Sequence, residues 1–194
     1  MKKLLLLIIL SLGSTMTIVP SILNDNIIKD HCISWYNYQE EIRYQTELNR
    51  FIDKLGYDES RNNWTAINKI GALGEFQFME TTLKQLGYNI TVNKFKKDPS
   101  IFPPELQREA LKELIEYNSL VMNDFLIYER KVVGGIVITK AGILAACHLG
   151  GPGSVQLFLT SDGRVNRRDC FGTAISDYLY KYQIYDLNLR LITN

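Results

Sequence analysis

Residues 59–79, ESRNNWTAINKIGALGEFQFM, constrain the chain more than any other stretch. The run opens on an acid and a small hydroxyl, Glu59-Ser60, and crosses a short polar segment. It then returns through a turn bracketed by Gly71 and Gly74 into the aromatic and amide cluster of residues 74–79. Upstream, Ile42, Leu48, Phe51, Ile52 and Leu55 fall at helical spacing between charges, which predicts a helix over residues 39–55. Such a helix carries the Glu59 carboxyl to the edge of the core, with Gly56 weakening its last turn. Glycine tolerates the positive φ that the turn needs, so the returning segment can lay Gln77 and two aromatic rings beside that carboxyl. A carboxyl facing apolar walls keeps its proton near neutral pH, the state a general acid requires.

The rest of the chain reads as scaffold. Residues 21–38 are mixed and predict an irregular lead-in whose Trp35, Tyr36 and Tyr38 pack onto the domain. A loop or short extended piece over 61–70, a short helix over 80–86 closed by Gly87, and a basic-to-polar connection over 89–102 follow. In residues 105–126, Leu106, Ala110, Leu114, Tyr117, Val121 and Phe125 form one stripe, which predicts the longest helix and the spine of the core. Residues 131–138, KVVGGIVI, suit a short hairpin. Thr139 is placed to cap a buried helix over 140–149, ended by Gly150 and Gly151, and Pro152 opens another through 159. A turn at Asp162-Gly163 precedes the last helix, 173–182. The expected fold is mainly α, a single domain over residues 39–194 with at most a small β-hairpin.

A chain of 194 residues that is 46% apolar and 22% charged can bury a core and is not disordered. Its formal net charge is +1, or −1 if Lys2 and Lys3 leave with a leader, so no basic field is present to hold nucleic acid. Residues 1–20 read as a secretory signal: two lysines, a short apolar run over 4–12, then Gly13, Ser14 and Thr15 near a cut. That run is too short for an ordinary transmembrane helix. Export to the periplasm or medium, with no stable membrane insertion after removal, is the expectation. A retained N-terminal anchor is the alternative, because no Ala-x-Ala site is present. Of the three cysteines, Cys32, Cys147 and Cys170, two can pair in an oxidising compartment. Their spacing fits no zinc pattern, and only His31 and His148 are available to help, so no metal is expected. Cys147 lies in an apolar run and reads as a small buried residue.

Four blocks in order resemble the lysozyme-like lytic transglycosylases and goose-type lysozymes that cut peptidoglycan. They are Glu59-Ser60; the GEFQFM run of 74–79; the AACHLGGPGSV run of 145–155; and the ISDYLYKYQIY run of 175–185. In that family the first carries the catalytic acid, the second is similar to a Gly-Leu-Met-Gln segment, and the third to Ala-Tyr-Asn-x-Gly followed by Gly-Pro-x-x-Val. The fourth fits the family's tyrosine-bearing last helix. A variant subgroup with a Tyr-Leu-Gly-x-Tyr-Gln-Phe block is closer still. The blocks span about residues 40–187 and imply a lysozyme-like domain. Cys147-His148 and one extra glycine stand where the family has Tyr-Asn, and Glu75 stands where related sequences carry an apolar or basic residue.

The resemblance implies a mechanism as well. Glycoside cleavage ordinarily uses two carboxyls, and Asp58, Glu75 and Glu80 are the candidates for a second; none stands out. In lytic transglycosylases one Glu protonates the leaving oxygen and then acts as base while the muramic sugar's own 6-hydroxyl closes a 1,6-anhydro ring. No second carboxylate and no cofactor is needed, and the tethered hydroxyl has a high effective concentration. Glu59 is therefore the expected catalytic residue. Ser60, Gln77, Phe78, His148, Tyr178 and Tyr182 are the expected substrate-binding set, and peptidoglycan glycan strands the partner; nothing bears on oligomeric state. Each has an ordinary structural alternative: a helix cap for Ser60, a surface amide for Gln77, core packing for Phe78, His148 and the tyrosines. A water-using muramidase on the same fold and a non-catalytic peptidoglycan-binding module are the competing functions.

Overall fold

The computed structural model describes residues 25–190 and 192. The expected leader, 1–20, and the start of the lead-in lie outside them. The element that positions the site is α1 (Asp25–Ser60), which is helical throughout. Its second half buries Leu48, Phe51, Ile52 and Leu55 at the expected helical spacing. The expectation of an irregular lead-in over 21–38 is corrected from Asp25 onward: adding a turn to an existing helix needs little, because nucleation is the costly step. Trp35 and Tyr38 do not pack onto the domain either, being 66% and 63% exposed. The helix is also bonded by the chain's own C-terminal tail. Asn37 donates to the Ile192 carbonyl at 2.9 Å and accepts from its N–H at 2.8 Å. Arg43 donates to the carbonyls of Asp186, at 3.2 Å, and Asn188.

The elements that follow are short. They are α2 (Glu80–Gln85), α3 (Val92–Lys97) and a 3-10 turn at Pro99–Ile101, then α4 (Pro104–Val121) and a second 3-10 segment at Asn123–Tyr128. So the stretch expected to be a connection holds a capped helix, with Thr91 accepting from the Lys94 N–H. With 18 residues against 36, α4 is not the longest helix. Its buried face also differs from the expected stripe: Ala110, Leu111, Leu114 and Ile115 are buried with Gln107 and Asn118, while Tyr117 and Val121 are exposed. The stripe was drawn through apolar residues alone, and two polar residues belong to the buried face.

Strands β1 (Val132–Val133) and β2 (Ile136–Val137) form one antiparallel hairpin, Val133 opposite Ile136. Its turn residues, Gly134 and Gly135, have φ of 56° and 81°, as a tight two-residue hairpin demands. The centre of the core is α5 (Lys140–Gly150), capped by Thr139 and buried from Ala141 to Cys147. Helices α6 (Pro152–Thr160) and α7 (Ile175–Tyr182) pack against it. The approach of α7 is close enough that a Cβ on Gly142 would sit 2.8 Å from the Leu179 carbonyl. The architecture is mainly α, with a single small hairpin among the described residues. No helix among the described residues is long and apolar enough to cross a membrane.

Candidate active site

Glu59 is in the last turn of α1, and the chain turns away immediately after it. The Asn62 N–H bonds the Gly56 carbonyl at 3.1 Å and the Arg61 N–H bonds the Tyr57 carbonyl at 3.0 Å, a helix stop that puts Arg61 and Asn62 at positive φ. This stop leaves the Glu59 side chain at the surface end of the core, 16% exposed. Its Oε1 accepts from the Tyr178 hydroxyl at 2.5 Å; its second oxygen accepts from no other described residue. Burial and the neighbouring Glu59 charge both push the Tyr178 hydroxyl well above its ordinary pKa. Tyr178 therefore keeps its proton and remains a donor.

Ser60 acts on the site through the backbone. Its hydroxyl donates to the Glu75 carbonyl at 2.8 Å and accepts from the Asn63 N–H at 2.9 Å, stapling the end of α1 to the returning turn. That turn is closed by paired hydrogen bonds between Leu73 and Phe78, each 2.8 Å. Gln77 lies at its tip with φ of 52°, rare for a side chain other than glycine. Its amide folds back to donate to the Gly74 carbonyl at 2.8 Å. Phe78 is 1% exposed, so it is core and not a ligand contact; its ring stands edge-on to His148 with centroids 5.9 Å apart.

His148 comes from the end of α5, with its side chain largely buried. Nε2 donates to the Phe76 carbonyl at 2.9 Å, which fixes the tautomer, and lies 3.9 Å from Glu59 Oε1, beyond hydrogen-bond reach. Nδ1 is buried with no hydrogen-bond partner among the described residues. The glycines after His148 have separate roles. A Cβ on Gly150 would meet Ile175 Cδ1 at 2.7 Å, and Gly151 takes φ of 76° to start α6. The glycines of the 147–151 run thus seat α5 against α7, and its histidine ties the helix to the returning turn.

The neighbouring acids are all committed elsewhere. Asp58 accepts from Tyr182 at 2.8 Å and pairs with Lys54 at 2.5 Å and Lys181 at 3.2 Å. Burial pushes its carboxyl up, but the Lys54, Tyr182 and Lys181 hydrogen bonds outweigh that and hold it below the usual range. Tyr182, fully buried, serves Asp58 and has no surface from which to touch a ligand. Glu75 is buried against Arg108 at 2.8 Å, and Arg108 also holds Asp53 at 2.7 Å. Glu80 accepts from the Val92 N–H.

Sequence reasoning missed the support beneath the turn. Gln107, fully buried, accepts from the Glu75 N–H at 2.6 Å and donates to the Trp64 and Phe102 carbonyls at 2.8 and 2.6 Å. A glutamine followed by an arginine on the buried side of a helix was the available signal. Two crevices of about 560 and 440 Å³ lie elsewhere, one beside α2 around Tyr88 and Asn89, the other among α1, α4 and α5 around Tyr44 and Lys112. Glu59 lines neither. Among the described residues no group of three or more His, Cys, Asp or Glu is arranged to hold a metal ion. The chain matches no protein-family model, no curated protein and no solved structure with which it was compared.

Proposed function

We propose that the protein is an exported peptidoglycan-cleaving enzyme, a lytic transglycosylase acting on the β-1,4 bond between N-acetylmuramic acid and N-acetylglucosamine. The observation that carries this reading is the isolation of Glu59. One of its oxygens is held by Tyr178 and the other is unclaimed, while Asp58, Glu75 and Glu80 are each tied to cations or backbone. A site with one available carboxyl suits chemistry that needs one. Protonated Glu59 gives its proton to the glycosidic oxygen as the bond to the muramic anomeric carbon breaks. The resulting carboxylate takes the proton of the sugar's 6-hydroxyl as that oxygen bonds the same carbon, which returns Glu59 to its starting state and consumes no water.

The remaining residues hold this arrangement. Tyr178 fixes the carboxyl rotamer; His148 and Ser60 fix the turn bearing Gln77, which this reading assigns to sugar contact once its amide leaves the Gly74 carbonyl. Incubating purified peptidoglycan with the mature protein and with its Glu59→Gln variant tests the reading. Soluble muropeptides should appear with the former, and release by the variant should fall at least about 100-fold, the scale of general acid–base catalysis. Binding of sacculi without release by either protein would identify a carbohydrate-binding module instead.

A further inference from the structure

The loop between α6 and α7 carries three arginines within five residues, Arg164, Arg167 and Arg168, all exposed. None has a carboxylate within ion-pair distance among the described residues, although Asp169 and Asp177 are close in sequence. Those two acids are turned onto the backbone: Asp169 accepts from the N–H groups of Phe171 and Thr173 at 2.9 and 2.7 Å, and Asp177 from that of Ala174 at 2.8 Å. The loop is also rigidly attached. Asn166 and Ser176 exchange hydrogen bonds of 2.7 and 3.1 Å, Arg168 pairs with Ala174 as an isolated bridge, and the Ile175 N–H donates to the Arg167 carbonyl at 3.0 Å. Arg164 and Arg168 each spend one N–H on a backbone carbonyl of the loop, whereas the Arg167 guanidinium makes no hydrogen bond to a described residue. Phe171 adds a ring that is 54% exposed.

This platform adjoins the site. Tyr178, whose hydroxyl holds Glu59, is only three residues beyond Ile175, about 4.5 Å along the helix axis. Asp169 is near enough for its charge to act on that hydroxyl. We propose that the loop is a binding site for the carboxylate-bearing stem peptides that hang from peptidoglycan, with Arg167 as the principal contact. The proposal rests on the reading of Glu59 as a glycan-cleaving residue. A guanidinium presents a planar fork that matches a carboxylate, and a pre-ordered loop loses little entropy when it binds. The same strand would then present its sugars to Glu59 and its peptide to the arginines.

The test compares release from stem-bearing strands with release from strands stripped of peptide by an amidase, for the wild type and for Arg167→Glu. The wild type should prefer stem-bearing strands. Arg167→Glu should lower the ratio of the two rates about three- to fivefold, as expected for an exposed ion pair, and the wild-type preference should fall as salt is raised. An unchanged ratio in the variant would overturn the proposal. If the wild type releases nothing from either substrate, the cleavage reading fails; titration of a soluble acidic stem peptide, followed by the amide shifts of residues 164–173, then decides this one. Shifts that vanish in Arg167→Glu support it, and no shifts in the wild type defeat it.

Discussion

At the scale of single residues, the site depends on who holds each carboxylate. Tyr178→Phe removes the one hydrogen bond that a described residue makes to the Glu59 carboxyl. A hydrogen bond of this kind contributes about 1 kcal/mol, so muropeptide release should slow roughly fivefold and the melting temperature should fall by no more than about 4 °C. An unchanged rate would mean that the hydroxyl does not position the acid. Asp58 offers a separate, pH-based check. Its folded pKa lies below its unfolded one, so its contribution is complete above the ordinary carboxylate range and is lost as pH falls through the folded value. Melting temperatures between pH 2 and 6 should therefore drop steeply for the wild type below about pH 4, and less steeply for Asp58→Asn. Glu75 runs the other way. Burial raises its pKa against the pull of Arg108, so its contribution is present below the ordinary range and fades as pH rises through the folded value. The place of Glu59 at the end of a helix was legible from the apolar spacing before it, whereas Tyr178, inside α7, was named only through the resemblance to a tyrosine-bearing last helix. The Phe76 carbonyl that holds His148 was not, because a backbone acceptor 72 residues away leaves no trace in side-chain pattern.

At the scale of elements, two close approaches set the geometry. Helix α7 delivers Tyr178 to α1 by lying directly on α5 at Gly142, where a Cβ would meet a backbone carbonyl that cannot step aside. Gly142→Ala should destabilise the fold by about 2 kcal/mol, in the range of overpacked cores, and slow release as Tyr178 moves off Glu59. Full activity at unchanged stability would show that the contact relaxes freely. Beneath the returning turn, Arg108 bridges Glu75 and Asp53. Arg108→Ala leaves a buried acid unpaired and should cost about 3 kcal/mol by denaturant titration; Asp53→Ala, at the exposed end of the same bridge, should cost under about 1 kcal/mol. The periodicity of apolar residues located the second half of α1 and the span of α4 but misdrew the face that α4 buries, because Gln107 and Asn118 belong to it, Gln107 through its hydrogen bonds; α5 was legible from Thr139 and its closing glycines instead.

At the scale of the whole molecule, Gly-bounded turns and capping residues gave away the mainly helical architecture and the hairpin. The course of the C-terminal tail along α1 was invisible. Its anchor joins Asn37 to Ile192, and nothing in the local sequence of either predicts the other. The same long-range closure brings α7 to the end of α1 and leaves Glu59 as the available carboxyl, on which the functional account rests. Mass spectrometry of the released muropeptides tests that account most directly. A transglycosylase working through Glu59 alone must yield 1,6-anhydro ends, each lighter by one water than a reducing end, and these must disappear with Glu59→Gln. Reducing ends in their place would contradict single-carboxyl chemistry and require a second group to activate water.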